Sequence, residues 1–316
     1  MVRSIRKSTI CFLCLFIDLP LVFSQERVND LKLHYDCPAE YFEETLVIGN
    51  GTIGASVYSG IKQDKISLND ITLWTGEPDS EITTPDAHKA IPEIRRLLDK
   101  DDFRGADKAM LKVQGHFSEN YQPLGTLTIE YLDDTDDVSD YQRYLNLNNA
   151  TAHVQYLKQG KMFVTDYFAS APDSVIVVRL KSDDDSGIHA FLSFDSPLPH
   201  ATKAAGNEIS AEGYTAYHSY PNYCDCGTED KHMYDPERGI HFRTLIRVMA
   251  SDGLIRSFPS GNIKIDGSKE VLVLITNATS FNGFDKDPVK EGSDYRNIVV
   301  RRMNSAVNKT YDKLRD

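Results

Sequence analysis

Three glycines near the start of the chain have the spacing of a nucleotide-binding loop. The segment "TLVIGNGTIGASVYSG" (45–60) contains Gly49, Gly51 and Gly54 in the pattern G-x-G-x-x-G, with an apolar run before them. In a dinucleotide site such glycines bring the backbone close to a pyrophosphate, which is bound by a helix that begins at the third glycine. Asp70 lies close to the position where a ribose-binding carboxylate is expected.

The residues after Gly54 disfavour that interpretation. They read "ASVYSGIKQDKISLND" (55–70), in which Val57 and Tyr58 are typical of a strand and Gly60 follows almost at once. A crossover helix with its connections needs at least about ten residues. We therefore predict that the glycines form a tight β-turn, and we predict neither a nucleotide nor any other cofactor.

A second pattern could bind a soft metal. The segment "CDCGTEDKH" contains Cys224, Cys226 and His232. Tetrahedral zinc normally requires a fourth ligand and C-x2-C spacing, so the sequence favours a solvated loop and predicts no metal site. Free thiols, a small strained Cys224–Cys226 ring and one long-range bridge to Cys37 all remain open.

Acid–base hydrolysis of a glycoside requires two opposed carboxylates, roughly 6.5–9.5 Å apart for an inverting reaction. The acids of this chain cluster at turns, in "DDTDD" (133–137) and at 183–185, and no pair can be placed face to face. Both clusters are predicted to be solvated loops, with a calcium site as the alternative. The residues alone therefore identify no catalytic pair of carboxylates.

Five residues are candidates for binding a substrate. An exposed Trp74 beside Asn69 would offer a flat apolar platform, although the sequence favours a core or interdomain anchor for this single tryptophan. His116 and Gln122 lie in a polar loop ahead of a predicted strand, where functional residues concentrate. Asn50 would act only if its turn faced a neighbouring domain.

Composition narrows the function classes. The chain has 316 residues, 41% hydrophobic and 26% charged, with a formal net charge of -12. These values are typical of a globular protein that repels nucleic acids and anionic membranes, so neither is predicted as a partner.

Arg3, Arg6 and Lys7 precede the apolar segment 9–23, and Ser24 follows it. This order predicts a cleaved signal peptide (1–24) and a secreted or periplasmic protein.

The pattern of elements predicts a mainly β protein. Strands follow one another through short Gly/Asp turns, which describes an antiparallel sheet system. The predicted strands cover 126–132, 151–157, 161–169, 174–181, 188–195, 240–250, 262–266 and 270–279. Two short inserted helices are predicted within 83–113, with Ile94, Leu97 and Leu98 on one face and Phe103, Ala106, Met110 and Val113 on another.

A C-terminal helix is predicted over 293–316. Ser293 or Asp294 can cap it, and an apolar stripe runs along it (Tyr295, Val299, Met303, Val307 and Leu314). Because the pattern continues to the last residue, we expect this helix to lead into a further part of the natural protein.

The motifs in order along the chain resemble glycoside hydrolase family 95, which contains α-L-fucosidases and α-L-galactosidases. The segment 44–76 is similar to the family's "EALPIGNGRLGAMVFGG" and "LNEDTLWSGGP" motifs, and "YQPLGTL" and "FASAPDSVIVVRL" match two later strands. "PEIRRLLDKDDFRGADKAM" is similar to its paired helices and "VLVLITNATSFNGF" to the end of its domain. Phe42, Thr52 and Thr126 depart from the family's usual Trp, Arg and Asp.

This resemblance implies a large antiparallel β-sandwich (super-sandwich) over 25–290 and the start of a linker helix over 291–316. In the family, that linker leads to an (α/α)6 barrel whose carboxylates, assisted by asparagine, hydrolyse the glycosidic bond with inversion. The expected function is thus to support a catalytic barrel that binds the glycan. A stand-alone carbohydrate-binding or interaction module is the alternative.

Overall fold

Two antiparallel sheets dominate the computed structural model, which describes residues 31–78, 86–115, 117–133, 135–224 and 227–316. The predicted signal peptide lies outside these residues. The nine-stranded sheet has the order β1-β6-β7-β8-β9-β18-β15-β12-β11, and the seven-stranded sheet has the order β16-β17-β10-β5-β4-β3-β2. The strands are β1 Lys32–Tyr35, β2 Leu46–Gly49, β3 Ile53–Val57, β4 Gln63–Asp70, β5 Gly125–Tyr131, β6 Val138–Asn146, β7 Thr151–Lys158, β8 Lys161–Ser170, β9 Val175–Ser182, β10 Ile188–Asp195, β11 His200–Ala205, β12 Glu208–Tyr214, β13 His218–Ser219, β14 His232–Met233, β15 His241–Ala250, β16 Leu254–Ser257, β17 Ile263–Ser268 and β18 Glu270–Thr279.

The main core lies between the two sheets, where alternate side chains of both point inward. Strand β4 shows the rule, because its residues 64, 66, 68 and 70 are buried and the residues between them are not. The predicted antiparallel β-sandwich is therefore confirmed. A small two-stranded pair, β13 with β14, lies beside it.

The nine-stranded sheet is covered on its outer face as well. Helices α3 (Tyr295–Ala306) and α4 (Tyr311–Arg315) pack there against side chains such as Phe168, Val177 and Leu274. Burial on both faces explains the apolar runs VIVV in β9 and VLVLI in β18.

The C-terminal helical segment differs from the sequence prediction in one respect. The chain leaves the helix after Ala306, and Thr310 adopts an extended conformation and caps α4 with its side chain. The single predicted helix is therefore two helices. Tyr295, Val299, Met303 and Leu314 of the predicted stripe are buried, and Val307 is partly buried.

Both predicted inserted helices are present, as α1 (Ile91–Leu98) and α2 (Phe103–Met110). Short 3-10 turns extend this hairpin at Ala87–Ala90 and Leu111–Val113, and a third occurs at Phe42–Glu44. The predicted apolar faces were only partly right. Ile94, Ala106 and Ala109 are buried, whereas Leu98, Phe103 and Met110 are exposed, because the helices pack through Ile94 of α1 and Ala109 of α2.

The glycine segment is a β-hairpin. Gly49 and Gly54 face each other across β2 and β3, and Gly51 takes a positive φ of 88° in the turn. Residues 54–64 contain most of β3, a turn and the start of β4, so no helix follows the third glycine. The strand-turn-strand interpretation is confirmed.

Candidate functional site

The loop 71–78 begins where β4 ends, and Asp70 fixes its first turn. The Asp70 carboxylate accepts hydrogen bonds from the Thr72 backbone N–H (2.9 Å) and the Thr72 hydroxyl (2.7 Å). The Leu73 N–H donates to the Asp70 carbonyl (3.1 Å). This is an Asx-type turn, which an aspartate can form at the end of a strand.

The same carboxylate connects the loop to the opposite sheet. The Asn277 amide of β18 donates to Asp70 (2.8 Å), and the Thr244 hydroxyl donates to the Asn277 side-chain oxygen (2.8 Å). The hydroxyls of Thr72 and Thr279 are 2.6 Å apart. Buried polar groups of this kind are tolerated because each finds a partner. The loop is therefore attached to both sheets.

Helix α3 supports this connection. The Arg302 guanidinium donates to the Asn277 carbonyl (2.7 Å). Burial lowers the pKa of Arg302, and the negative charge of Asp70 opposes that change. The first turn of the loop after β4 is thus linked through β18 to helix α3 on the outer face of the nine-stranded sheet.

Trp74 lies at the surface. Its side chain is 44% exposed, its indole N–H donates to the Ile71 carbonyl (3.1 Å), and its ring meets Tyr121 edge-on with centroids 6.2 Å apart. The core-anchor interpretation of this residue was therefore wrong. Partial burial raises the pKa of Tyr121, and the nearby Asp70 carboxylate raises it further.

Trp74 forms one wall of an apolar groove of about 480 Å³. Phe281 and Phe284 line it from the segment after β18, and the Phe284 side chain is 85% exposed. An exposed apolar patch with polar residues at its edge is typical of a surface that binds another protein or a ligand.

A shallow depression of about 550 Å³ adjoins the groove and shares Ile71 with it. The facing glycines Gly49 and Gly54 line it, and a Cβ atom on Gly54 would lie only 3.1 Å from the Ile48 carbonyl. Exposed Phe42 and Val47 stand at its edge. We call the groove and the depression together the Trp74 face.

Two carboxylates, Glu77 and Glu119, line the groove, and both are already held. Glu119 accepts hydrogen bonds from the Ser219 N–H (3.1 Å) and the Thr75 hydroxyl, and it contacts His218 Nδ1 at 2.7 Å. Glu77 forms a two-pronged ion pair with Arg238. Because their oxygens are engaged in holding loops together, we assign neither a catalytic role.

Gly76 shows how closely these loops pack. Its φ is +112°, and an added Cβ atom would lie 2.7 Å from Cγ of Glu119. Only glycine fits this combination of backbone and space.

The predicted sugar-binding residues separate into two groups. Asn69 and Trp74 are both exposed on the Trp74 face. The Asn50 side chain instead serves its own turn, since its oxygen accepts from the Thr52 and Ile53 N–H groups and its amide donates to the Ser170 carbonyl, all at 3.0 Å. Gln122 is only 6% exposed and lines neither part of the face. His116 lies outside the described residues.

Cys226 of the possible soft-metal site and Asp134 of the 133–137 cluster lie outside the described residues. Among the residues that the structure describes, no group of three or more His, Cys, Asp or Glu side chains could bind a metal ion. Cys224 is disulfide-bonded and Cys37 is a free thiol, so the bridge does not join these two. Among the same residues, no helix is long and apolar enough to cross a bilayer.

Several residues of the site escaped sequence reasoning. Glu119, His218, Asn277 and Phe284 come from four segments that are distant in sequence, and no spacing connects them. The one usable signal was Phe281 and Phe284 in "NATSFNGF", a segment matched to the family motif but not considered as part of a surface.

Residues 33–283 match the glycosyl hydrolase family 65 N-terminal domain, and the chain belongs to this family. The chain is 28% identical over 300 residues to "Alpha-L-fucosidase 2" of Arabidopsis thaliana, covering 93% of this chain and 36% of that protein. It is 26% identical over 312 residues to "Probable alpha-fucosidase A" of Aspergillus niger (strain ATCC MYA-4892 / CBS 513.88 / FGSC A1513), covering 94% and 36%. The resemblance to the N-terminal domain of a family 95 enzyme is thereby confirmed.

A solved structure of a candidate kojibiose phosphorylase from the human microbiome is also similar. Its TM-score is 0.48 at 10% identity, over 90% of this chain and 36% of that one. That likeness is too weak to inform function. The chain spans about a third of the length of the curated relatives it matches.

Proposed function

We propose that this chain is the N-terminal domain of a secreted α-L-fucosidase, and that it supports a catalytic domain that lies outside residues 1–316. Two relatives that match nearly all of this chain are named as fucosidases, and in each the match covers 36% of the protein. The reaction is the hydrolysis of terminal α-L-fucosyl or α-L-galactosyl residues with inversion. The chain itself contributes no catalytic residue.

We propose that the catalytic domain docks on the Trp74 face, and the exposed aromatic rings of this face are the main support for the proposal. Its exposed rings, Trp74, Tyr121, Phe281 and Phe284, have the aromatic character that is enriched where two proteins meet. The polar network through Asp70 holds the face in place, and rigid placement lowers the entropy cost of docking. In this proposal Trp74 has an interdomain role, and its exposure on this face supports it.

A chimaera tests the proposal. This chain replaces the matching segment of Arabidopsis thaliana alpha-L-fucosidase 2, and turnover of 4-nitrophenyl α-L-fucoside is measured for the chimaera and for this chain alone. We expect turnover by the chimaera only, and release of the β-anomer of L-fucose, seen by proton NMR before mutarotation. Turnover by this chain alone would contradict the proposal.

Variants locate the docking surface. Trp74→Ala and Phe284→Ala in the chimaera are expected to reduce both activity and melting temperature, because each removes an aromatic contact with the catalytic domain. Tyr41→Ala is the matched control, since Tyr41 is an exposed ring that lines neither part of the Trp74 face. Equal effects of all three variants would exclude this face as the docking surface.

The alternative is a stand-alone carbohydrate-binding module. One observation favours it: Trp74 is exposed in a groove that also contains the Thr75 and Glu119 side chains. Saturable binding of L-fucose by the isolated chain, lost in Trp74→Ala, would support this role.

A further inference from the structure

A second cleft, of about 430 Å³, lies among loops that the proposed function does not use. It is lined by Phe117, Asn120, Asn222, Tyr223, Lys231 and His232, with neighbouring residues of the same loops. None of these residues lines the groove or the depression of the Trp74 face. Its volume falls within the roughly 300–1,000 Å³ typical of small-molecule sites.

Two exposed aromatic rings form one side of this cleft. Phe117 is 53% exposed and Tyr223 is 80% exposed, and they meet edge-on with ring centroids 6.4 Å apart. Neither ring belongs to a buried hydrophobic cluster. Such rings present apolar faces to solvent, while the tyrosine adds a hydroxyl.

The other side of the cleft is polar and held in place. Buried Ser219 accepts a hydrogen bond from the Asn120 amide (2.8 Å on Oγ, 3.1 Å on the carbonyl) and contacts Nδ1 of His232 at 2.7 Å. Because Nδ1 of His232 is engaged, Nε2 is the ring nitrogen that can serve a ligand. Asn120 and His232 are therefore fixed before any ligand arrives, which favours binding.

The loop that bears Tyr223 is constrained at Cys224. The Lys231 ammonium donates to the Cys224 carbonyl, and Cys224 is disulfide-bonded. Exposed Asn222 adds an amide to the same rim. The cleft thus combines aromatic faces with neutral donors and acceptors and a single lysine.

From this combination we propose that the cleft binds a neutral oligosaccharide. A pyranose ring has an apolar C–H face that fits an aromatic ring, and hydroxyls at its edge that fit amides and an imidazole. The net charge of -12 makes a polyanionic ligand a poor match. Binding here needs no catalytic domain, so the test of this site is independent of the test of the proposed function.

The experiment is an NMR titration of the intact chain with three probes: cellohexaose, maltohexaose and 2′-fucosyllactose. We expect saturable binding of at least one probe. Tyr223→Ala should weaken it about tenfold or more, because it removes the stacking surface, whereas Tyr223→Phe should stay within about threefold. Asn120→Ala should also weaken it, because the amide that closes the polar side is lost.

Phe284→Ala is the matched control, as it removes an equally exposed ring from the Trp74 face. It should leave the affinity unchanged. Near-identical amide spectra of all free variants show that each is folded. Absence of saturable binding for all three probes would overturn the proposal. Binding that survives Tyr223→Ala but is lost in Phe284→Ala would overturn it as well, and would place the ligand on the Trp74 face.

Discussion

Strand β4 carries two buried aspartates that differ in what surrounds them. Asp64 and Asp70 are both at most 2% exposed, and both face the core between the sheets. Asp64 accepts from the Tyr167 hydroxyl (2.6 Å) and the Gly60 N–H (3.1 Å). Asp70 accepts from two groups of Thr72 and from Asn277, with the Arg302 charge behind them.

The two environments have different consequences. Burial raises the pKa of Asp64 to about 6, although the hydrogen bond from Tyr167 opposes the rise. This carboxylate therefore costs stability when it ionises within the core. Asp70 instead links a surface loop to the opposite sheet by hydrogen bonds to Thr72 and Asn277. The Asn277 carbonyl in turn accepts a hydrogen bond from Arg302 of helix α3. Ionised Asp64 thus destabilises the core of the sandwich. By contrast, Asp70 stabilises the loop after β4 through its hydrogen bonds to Thr72 and Asn277.

The largest expected effect is that of Asp70→Ala. It leaves the Asn277 amide and the Thr72 hydroxyl without their buried acceptor, and such losses cost about 4 kcal/mol of unfolding free energy in total. Urea denaturation measures the loss. The single tryptophan of the chain, Trp74, reports directly on the loop through its fluorescence.

The control for this variant is Asp107→Ala, which removes an exposed aspartate from α2. It should change the unfolding free energy by no more than about 0.5 kcal/mol. A loss of unfolding free energy below about 1 kcal/mol for Asp70→Ala, with unchanged tryptophan emission, would show that Asp70 does not hold the loop to β18.

Asp64→Asn should alter pH dependence rather than the loop. The pKa of Asp64 is about 6 when folded and roughly 3.9 when unfolded, so the folded state binds its proton more tightly. The stability contributed by protonated Asp64 is fully present below the unfolded pKa and is lost as pH rises through about 6, with a total of roughly 3 kcal/mol. The variant should lack this decline.

Unfolding free energies of both proteins between pH 4 and 8 provide the measurement, because the difference between the two curves isolates Asp64. The fluorescence of Trp74 should remain native in the variant. Parallel curves would mean that Asp64 does not titrate in this range.

The sequence predicted the sheets far better than it predicted the site. Strands 188–195 and 270–279 were predicted with the observed bounds, since period-two alternation and flanking turns are local signals. Strands β6 and β12, the short pair β13 and β14, and the edge strands β1, β11 and β16 were not predicted. The three edge strands have little buried apolar surface, so their pattern is weak.

The site could not be read in the same way, because its contacts join distant segments. Asp70 and Asn277 are separated by 207 positions, and Glu119 and His218 by 99. Trp74 was recognised as a candidate, but its exposure depends on which loops surround it. Asn50 was recognised too, yet its side chain supports its own turn.

Arg302→Met tests how far the connection through Asp70 extends. The variant keeps the apolar stem but removes the charged hydrogen bond to the Asn277 carbonyl, which should cost about 2 kcal/mol. Arg301→Met, an exposed neighbour on α3, is the control. Equal unfolding free energies of the two variants would show that the connection ends at β18.

The smallest expected effect is that of Tyr167→Phe, which removes the hydroxyl that donates to Asp64 while keeping the ring in the core. Loss of this bond should cost about 1 kcal/mol. Because the hydrogen bond from Tyr167 lowers the pKa of Asp64, the variant's pKa should rise above about 6. The pH at which stability declines should then shift upward, whereas Asp64→Asn should abolish the decline. If the decline stays at the same pH in urea titrations, Tyr167 does not set the Asp64 environment, and desolvation alone distinguishes this carboxylate from Asp70.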